Sequence, residues 1–145
     1  MKRIILLTLL CTTTILMAQR INHIQEAIAD YDYETALILI AKEKTTIPLL
    51  LQKGKAQRGL GLNAEALSTY QEIIANDTAN TRAYIEAAEC CRSLAKNQQA
   101  LKYYEQALDL NPENKYVRIQ YIGLLLSLQK FQEALGESSL MTEKD

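Results

Sequence analysis

The sequence predicts an all-α fold, a solenoid of stacked antiparallel helix pairs, and three observations carry that expectation. The chain repeats itself with a fixed period. Aligned, 47–80 and 81–114 share Arg58/Arg92, Leu60/Leu94, Asn63/Asn97, Ala66/Ala100, Leu67/Leu101, Tyr70/Tyr104 and Asn80/Asn114. The same step leads on to Leu128, Ala134 and Leu135, so the matches fall on small and apolar positions, where a packed repeat must recur. Within the period, Tyr84, Ala88, Cys91 and Leu94 form one helical stripe at i, i+4, i+7 and i+10. Finally, 5 Gly and 2 Pro in 145 residues supply too little turn chemistry for a β-sandwich or barrel. A chain that is 48% hydrophobic and 23% charged is globular in composition rather than disordered, and its length suits one domain.

Residues 1–18 read differently from the rest. Lys2 and Arg3 precede an uncharged run from Ile4 to Ala18. This is the pattern of a signal peptide, with cleavage expected after Ala18. A spanning helix needs roughly 20 apolar residues, more than this run supplies, so a membrane anchor fits less well; a buried first helix stays open. Cys11 offers a lipoprotein alternative, but Leu10 stands where a small residue is expected. The expected location is therefore the periplasm or cell envelope, with an outer-membrane lipoprotein as the alternative. Loss of 1–18 removes Lys2 and Arg3 and no acid, taking the net charge from −1 to −3. Neither value draws the chain to nucleic acid or anionic membrane. Cys90 and Cys91 remain, and neighbours in a helix cannot bridge without strain, so both are expected as packed free thiols.

The mature chain, 19–145, divides into a degenerate unit 19–46 and units 47–80, 81–114 and 115–145. In the first, Tyr31-Asp-Tyr-Glu-Thr-Ala36-Leu37 reads as the start of a second helix, but the step from Ala36 to Ala66 is shorter than the step from Ala66 to Ala100. In the full units Asn63 and Asn97 are expected to cap the second helices, Gly59 and Gly61 to loosen the turn between the helices of 47–80, and Asn111-Pro112 to end the helix before it. The last helix is expected over about Phe131 to Met141.

Residues 84–112 run Tyr84-x2-Ala87-Ala88-x2-Cys91, then Ala100-x3-Tyr104-x2-Ala107-x4-Pro112. This resembles the tetratricopeptide repeat, a 34-residue helix hairpin with these small and aromatic positions and a closing proline. The frame gives Leu50, Gly54, Ala66, Tyr70, Ile73 and Thr78 in 47–80, and Tyr121, Leu125, Ala134, Leu135 and Met141 in the last unit, which departs at Arg118 and Ser138. The resemblance implies a right-handed superhelix whose concave face, lined by the first helix of each unit, holds a peptide or protein partner. The side chains it places there are Leu51, Lys55, Arg58, Arg82, Ile85, Glu86, Glu89, Arg92, Tyr116, Ile119, Gly123 and Leu126. The subgroup that grips a C-terminal carboxylate uses fixed Lys and Asn residues. Leu51, Lys55, Ile85 and Glu89 occupy those positions here, so that mode is not expected.

No catalytic constellation appears. Gly59-Leu60-Gly61 is a helix–helix turn in the repeat frame rather than a phosphate loop. His-Glu-x-x-His, Cys-x-x-Cys and nucleophile-elbow patterns are absent, and the single histidine, His23, has no partner pattern. Glu86 and Glu89 read as a solvated helix face. Tyr70, Tyr84 and Tyr104 take core positions, and Tyr31, Tyr33, Tyr103, Tyr116 and Tyr121 are expected to pack in the core or at its rim. Asn76-Asp-Thr78 fits a glycosylation sequon in an exposed turn. The expectation is a non-enzymatic scaffold without cofactor, metal, nucleic acid or small-molecule substrate. The alternative is an accessory or truncated segment of a larger envelope assembly with no ligand of its own. Leu135, Leu140 and Met141 should leave an apolar edge, either frayed or covered by a second copy or a partner.

Overall fold

The computed structural model describes residues 18–142. The segment 1–17, with Cys11 and most of the expected signal peptide, lies outside them. The described residues form eight helices and no strand: α1 (18–29), α2 (Tyr33–Ile40), α3 (Ile47–Gly59), α4 (Asn63–Asn76), α5 (Thr81–Ser93), α6 (Asn97–Leu110), α7 (Lys115–Ser127) and α8 (Phe131–Thr142). No helix among them is long and apolar enough to cross a membrane. They fall into two compact units divided between Gly61 and Leu62.

In the first unit, Ile24, Ala27 and Ile28 of α1 bury themselves with Ala36 and Ile40 of α2 and Ala56 of α3. The Asp32 carboxylate starts α2 by accepting from the Thr35 backbone N–H at 3.1 Å, and bonding to Thr35 holds its pKa below the ordinary value. Pro48 sits in the first turn of α3, where a missing N–H is harmless. Gly59 lies against the Tyr33 ring, and a Cβ there would run into it. This glycine therefore serves a close approach at the end of α3, rather than loosening the turn as its place in the sequence suggests.

In the second unit α5 packs on α4 and α6, and α7 packs on α6 and α8. The repeated alanines stand at these approaches: Ala66, Ala100 and Ala134 are all buried, with Ala87, Ala88 and Ala107. Tyr70 and Tyr104 are fully buried between them. Cys90 and Cys91 are free thiols with no exposure, and burial pushes the Cys91 pKa up. Helix α6 ends at Leu110, immediately before Asn111-Pro112.

The caps differ from expectation. Asn63 and Asn97 are the first residues of α4 and α6, and the cap positions are Leu62 and Lys96, which make no side-chain cap bond. Asparagine caps the first helices of the repeats instead. Asn80 accepts from the Ala83 N–H and Asn114 from the Val117 N–H, both at 3.1 Å. The reason lies in the turn before the second helix. Gly61, Ala95 and Gln129, one period apart, adopt left-handed φ of 75°, 56° and 61°, and Tyr31 joins them at 61°. The next residue then donates its N–H back across the turn: Asp32 to Ala27 O (2.8 Å), Lys96 to Cys91 O (2.8 Å) and Lys130 to Leu125 O (2.9 Å). This closes the preceding helix and makes that same residue the start of the next.

Only glycine adopts this backbone freely. Ala95→Gly and Gln129→Gly are therefore expected to stabilise the protein by about 1 kcal/mol each, and Gly61→Ala to destabilise it by about as much. Chemical denaturation measures all three, and stabilities that fail to move in these opposite directions would contradict the shared turn.

Candidate functional site

The expected partner-binding residues divide between the two units. Leu51 and Arg58 are half-buried and Lys55 exposed on α3 of the first unit. The others lie on α5 and α7 of the second. There, Ile85, Glu86 and Glu89 are half-buried and Arg82 and Arg92 exposed. Tyr116, Ile119 and Leu126 on α7 are 57%, 54% and 49% exposed, a run of large apolar surface without a counterpart on α5.

At the centre of this face stands a connected polar group. The Tyr104 hydroxyl rises from α6 and donates to Glu89 Oε1 at 2.6 Å. Arg92 Nη1 lies 3.6 Å from Glu89 Oε2 and donates to the Tyr104 hydroxyl oxygen (3.4 Å) and to Gln120 Oε1 of α7 (2.8 Å). Three helices thus meet through one guanidinium. Burial raises the Tyr104 pKa, and the hydrogen bond to the Glu89 carboxylate raises it further by holding the phenolic proton. Arg92 is in turn held charged more firmly than usual by its bond to Tyr104, and by Glu89 beside it.

Two of these residues go beyond what the sequence analysis assigns. The repeat frame marks Tyr104 as a core residue, and its ring is one, but its hydroxyl also organises Glu89. Gln120 carries a signal in the period alone, because it stands one repeat after Glu86. Glu89, expected on a solvated face, is instead tied to Tyr104 and Arg92. Of the unassigned tyrosines, Tyr121 is buried and donates to Glu105 Oε1 at 2.7 Å. Tyr33 and Tyr103 are half-buried, whereas Tyr31 and Tyr116 project outward.

The last repeat keeps the register of the one before while changing its chemistry. Tyr84 of α5 and Tyr103 of α6 pack with ring centroids 6.3 Å apart. At the matching positions one period on, Arg118 of α7 ion-pairs with Glu137 of α8, and Arg118 Nη2 donates to Pro112 O at 2.7 Å. The departure at Arg118 is thus compensated by a partner across the hairpin.

This arrangement suits recognition. Tyr104 holds its proton, and Glu89 is committed to the Tyr104 hydroxyl and to the Arg92 charge. Among the described residues no cluster of His, Cys, Asp or Glu could hold a metal ion. His23 sits on the surface 3.4 Å from Glu26, one turn along α1. In the sequon turn, Asn76 is exposed and donates to the Glu72 carbonyl. The first unit holds a cleft of about 280 Å³ lined by Leu37, Ile40, Leu49, Leu50, Lys53 and Gln57 among others, without a catalytic grouping.

Because folded Tyr104 keeps a proton that the unfolded chain gives up near pH 10, its contribution to stability is complete below that pH and is lost as pH rises beyond it. A denaturation series from pH 8 to 12 should show this decline, and Tyr104→Phe should make it shallower, leaving the part due to Tyr121, whose pKa burial and the bond to Glu105 also raise. An unchanged alkaline slope would argue against the Tyr104–Glu89 bond.

Two family models, both described as tetratricopeptide repeat, match residues 51–114 and 92–137. No curated protein matches the sequence significantly. Among solved structures, the chain is similar to a tetratricopeptide repeat protein from Parabacteroides merdae ATCC 43184, with a TM-score of 0.78 and 22% identity over 88% of this chain. It spans about half of that protein, 54%. MamA is similar at a TM-score of 0.77 and 16% identity, over 85% of this chain and 69% of that one. The first repeat domain of Spaghetti (RPAP3), solved bound to the HSP90 peptide SRMEEVD, gives 0.70 and 21%, over 74% and 89%. At these identities the likeness is one of fold.

Proposed function

Since the chain belongs to the tetratricopeptide repeat family, we propose that it is a non-catalytic interaction scaffold that holds an extended segment of a protein partner on the face of α5 and α7. The observation that carries this reading is the fixed Arg92. Its guanidinium is oriented by Glu89, Tyr104 and Gln120 and stands on the same pair of helices as the exposed Tyr116, Ile119 and Leu126. A side chain already held in place loses little further freedom on binding. Exposed aromatic and aliphatic groups beside it offer apolar area to a partner. The peptide-bound state of the Spaghetti (RPAP3) domain supports this use of the fold. Glu89 and Ile85 disfavour capture of a terminal carboxylate, so an internal segment with apolar side chains is the better fit.

The proposal includes export. Lys2, Arg3 and the uncharged run to Ala18 support a cleaved leader and a place of action in the cell envelope.

Selection of phage-displayed peptides on the purified chain tests the scaffold reading. Enriched peptides should lose about tenfold in affinity against Arg92→Ala and against Ile119→Glu. A library without enrichment, or peptides indifferent to both variants, would sink it. Intact mass of the natively expressed protein tests export, with loss of residues 1–18 expected and retention of Met1 contradicting it.

A further inference from the structure

Helices α2 and α4 start at matching points, Tyr33 and Asn63, separated by the same step that carries Ala36 to Ala66. Helix α4 then runs for 14 residues and α2 for only 8. Beyond Ile40 the chain tightens, with the Lys42 N–H donating to Leu39 O at 3.1 Å and the Glu43 N–H to Ile40 O at 3.0 Å, and α3 begins at Ile47. The missing turns amount to about 9 Å of helix. On α4 that length carries the fully buried Ile73, and the residue at its place here is Glu43.

At this point the first unit has its cleft of about 280 Å³, walled by Leu37, Ile40, Leu49 and Leu50. Lys53 and Gln57 of α3 complete it. One period on, α5 fills their positions with Ala87 and Cys91, both without exposure. None of the lining residues belongs to the set expected on the partner-binding face. The two charged groups in the cleft differ in their commitments. Glu43, 12% exposed, is taken by Arg20 of α1, with Nη1 3.2 Å from Oε1. Lys53 is half-buried and makes no hydrogen bond or ion pair among the described residues. An ammonium drawn partly out of water beside aliphatic walls lacks the anion that would offset its lost hydration.

We propose that this cleft binds a small aliphatic monocarboxylate, its chain against Leu37, Ile40, Leu49 and Leu50 and its carboxylate on the Lys53 ammonium. The sign of the ligand follows from the pairing, because Arg20 neutralises Glu43 and Lys53 stays in excess. Its single charge follows from the donor, since one ammonium is a point charge rather than a fork. Its size follows from the volume, at the lower end of the range for small-molecule clefts, roughly 300 Å³. A stretch of polypeptide suits the cleft less, because its backbone N–H and C=O groups would meet aliphatic side chains. The chain's own uncharged run from Ile4 to Ala18 carries no anion to meet Lys53.

Isothermal titration of the full chain with octanoate, butyrate and 1-octanol tests the proposal. Octanoate should bind at least about tenfold more tightly than butyrate, through the longer chain it buries. It should also bind about tenfold more tightly than 1-octanol, which keeps the chain without the charge. In Lys53→Met, with circular dichroism confirming the fold, octanoate should fall to the affinity of 1-octanol. Arg20→Gln should weaken octanoate severalfold by leaving the Glu43 charge to repel it. That variant changes a side chain 52% exposed, so it serves even if Lys53→Met folds poorly. Amide chemical-shift changes on adding octanoate should centre on residues 37–57. The proposal is overturned if octanoate does not bind, if 1-octanol binds as tightly, or if octanoate affinity is unchanged in either folded variant. Shift changes confined to α7 and α8 would overturn it as well.

Discussion

Close approach of helix backbones at alanine is the constraint on which the second unit rests. A hairpin of two short helices cannot enclose an apolar stripe, so each must borrow its neighbour's surface. That is possible only where side chains permit near contact. Ala66, Ala100 and Ala134 mark one such line, and Ala87, Ala88 and Ala107 thicken it around α5 and α6. Tyr70 and Tyr104 fill what the alanines leave open. Burying Tyr104 brings its hydroxyl to Glu89, Glu89 orients Arg92, and Arg92 reaches Gln120 on α7. The geometry of the α5/α7 face therefore descends from the packing of the core beneath it.

The helices and their pairing are legible in the sequence because packing repeats, and a fixed period exposes what repeats. The face is legible in part, since the same period places Arg82 to Arg92 and Tyr116 to Leu126 on first helices. What stays hidden is mostly pairwise. Arg118 looks like a departure from the repeat until Glu137 is seen across the hairpin, and neither residue alone announces the other. Gln120 is discoverable only by stepping one period on from Glu86. The left-handed turns are half hidden: Gly61 advertises its backbone, but Ala95 and Gln129 adopt the same φ with ordinary side chains, held there by the geometry of the hairpin. The asparagine caps are ambiguous for a related reason. The α5/α6 repeat has an asparagine at the start of both helices, Asn80 and Asn97, and only Asn80 caps with its side chain.

The two hairpins of the second unit illustrate how a repeat can hold its architecture while changing its business. An aromatic pair becomes an ion pair at constant register, and the positions of Glu89, Arg92 and Tyr104 become Gly123, Leu126 and Ser138. Neither change touches the alanine line. Tyr104 alone belongs both to the core and to the face, its ring packed in the core and its hydroxyl bonded to Glu89.

The adjacent thiols of α5 have a consequence for following the molecule in time. Cys90 and Cys91 lie side by side with no solvent exposure, in the helix wedged between α4 and α6. Successive residues point about 100° apart around a helix, so the two sulfurs look toward different neighbours. Burial also suppresses the reactive thiolate of Cys91. A thiol reagent can reach them only when α5 parts from its neighbours. The rate of their alkylation is therefore a clock on the opening of the innermost helix, present in the native sequence without any label being introduced.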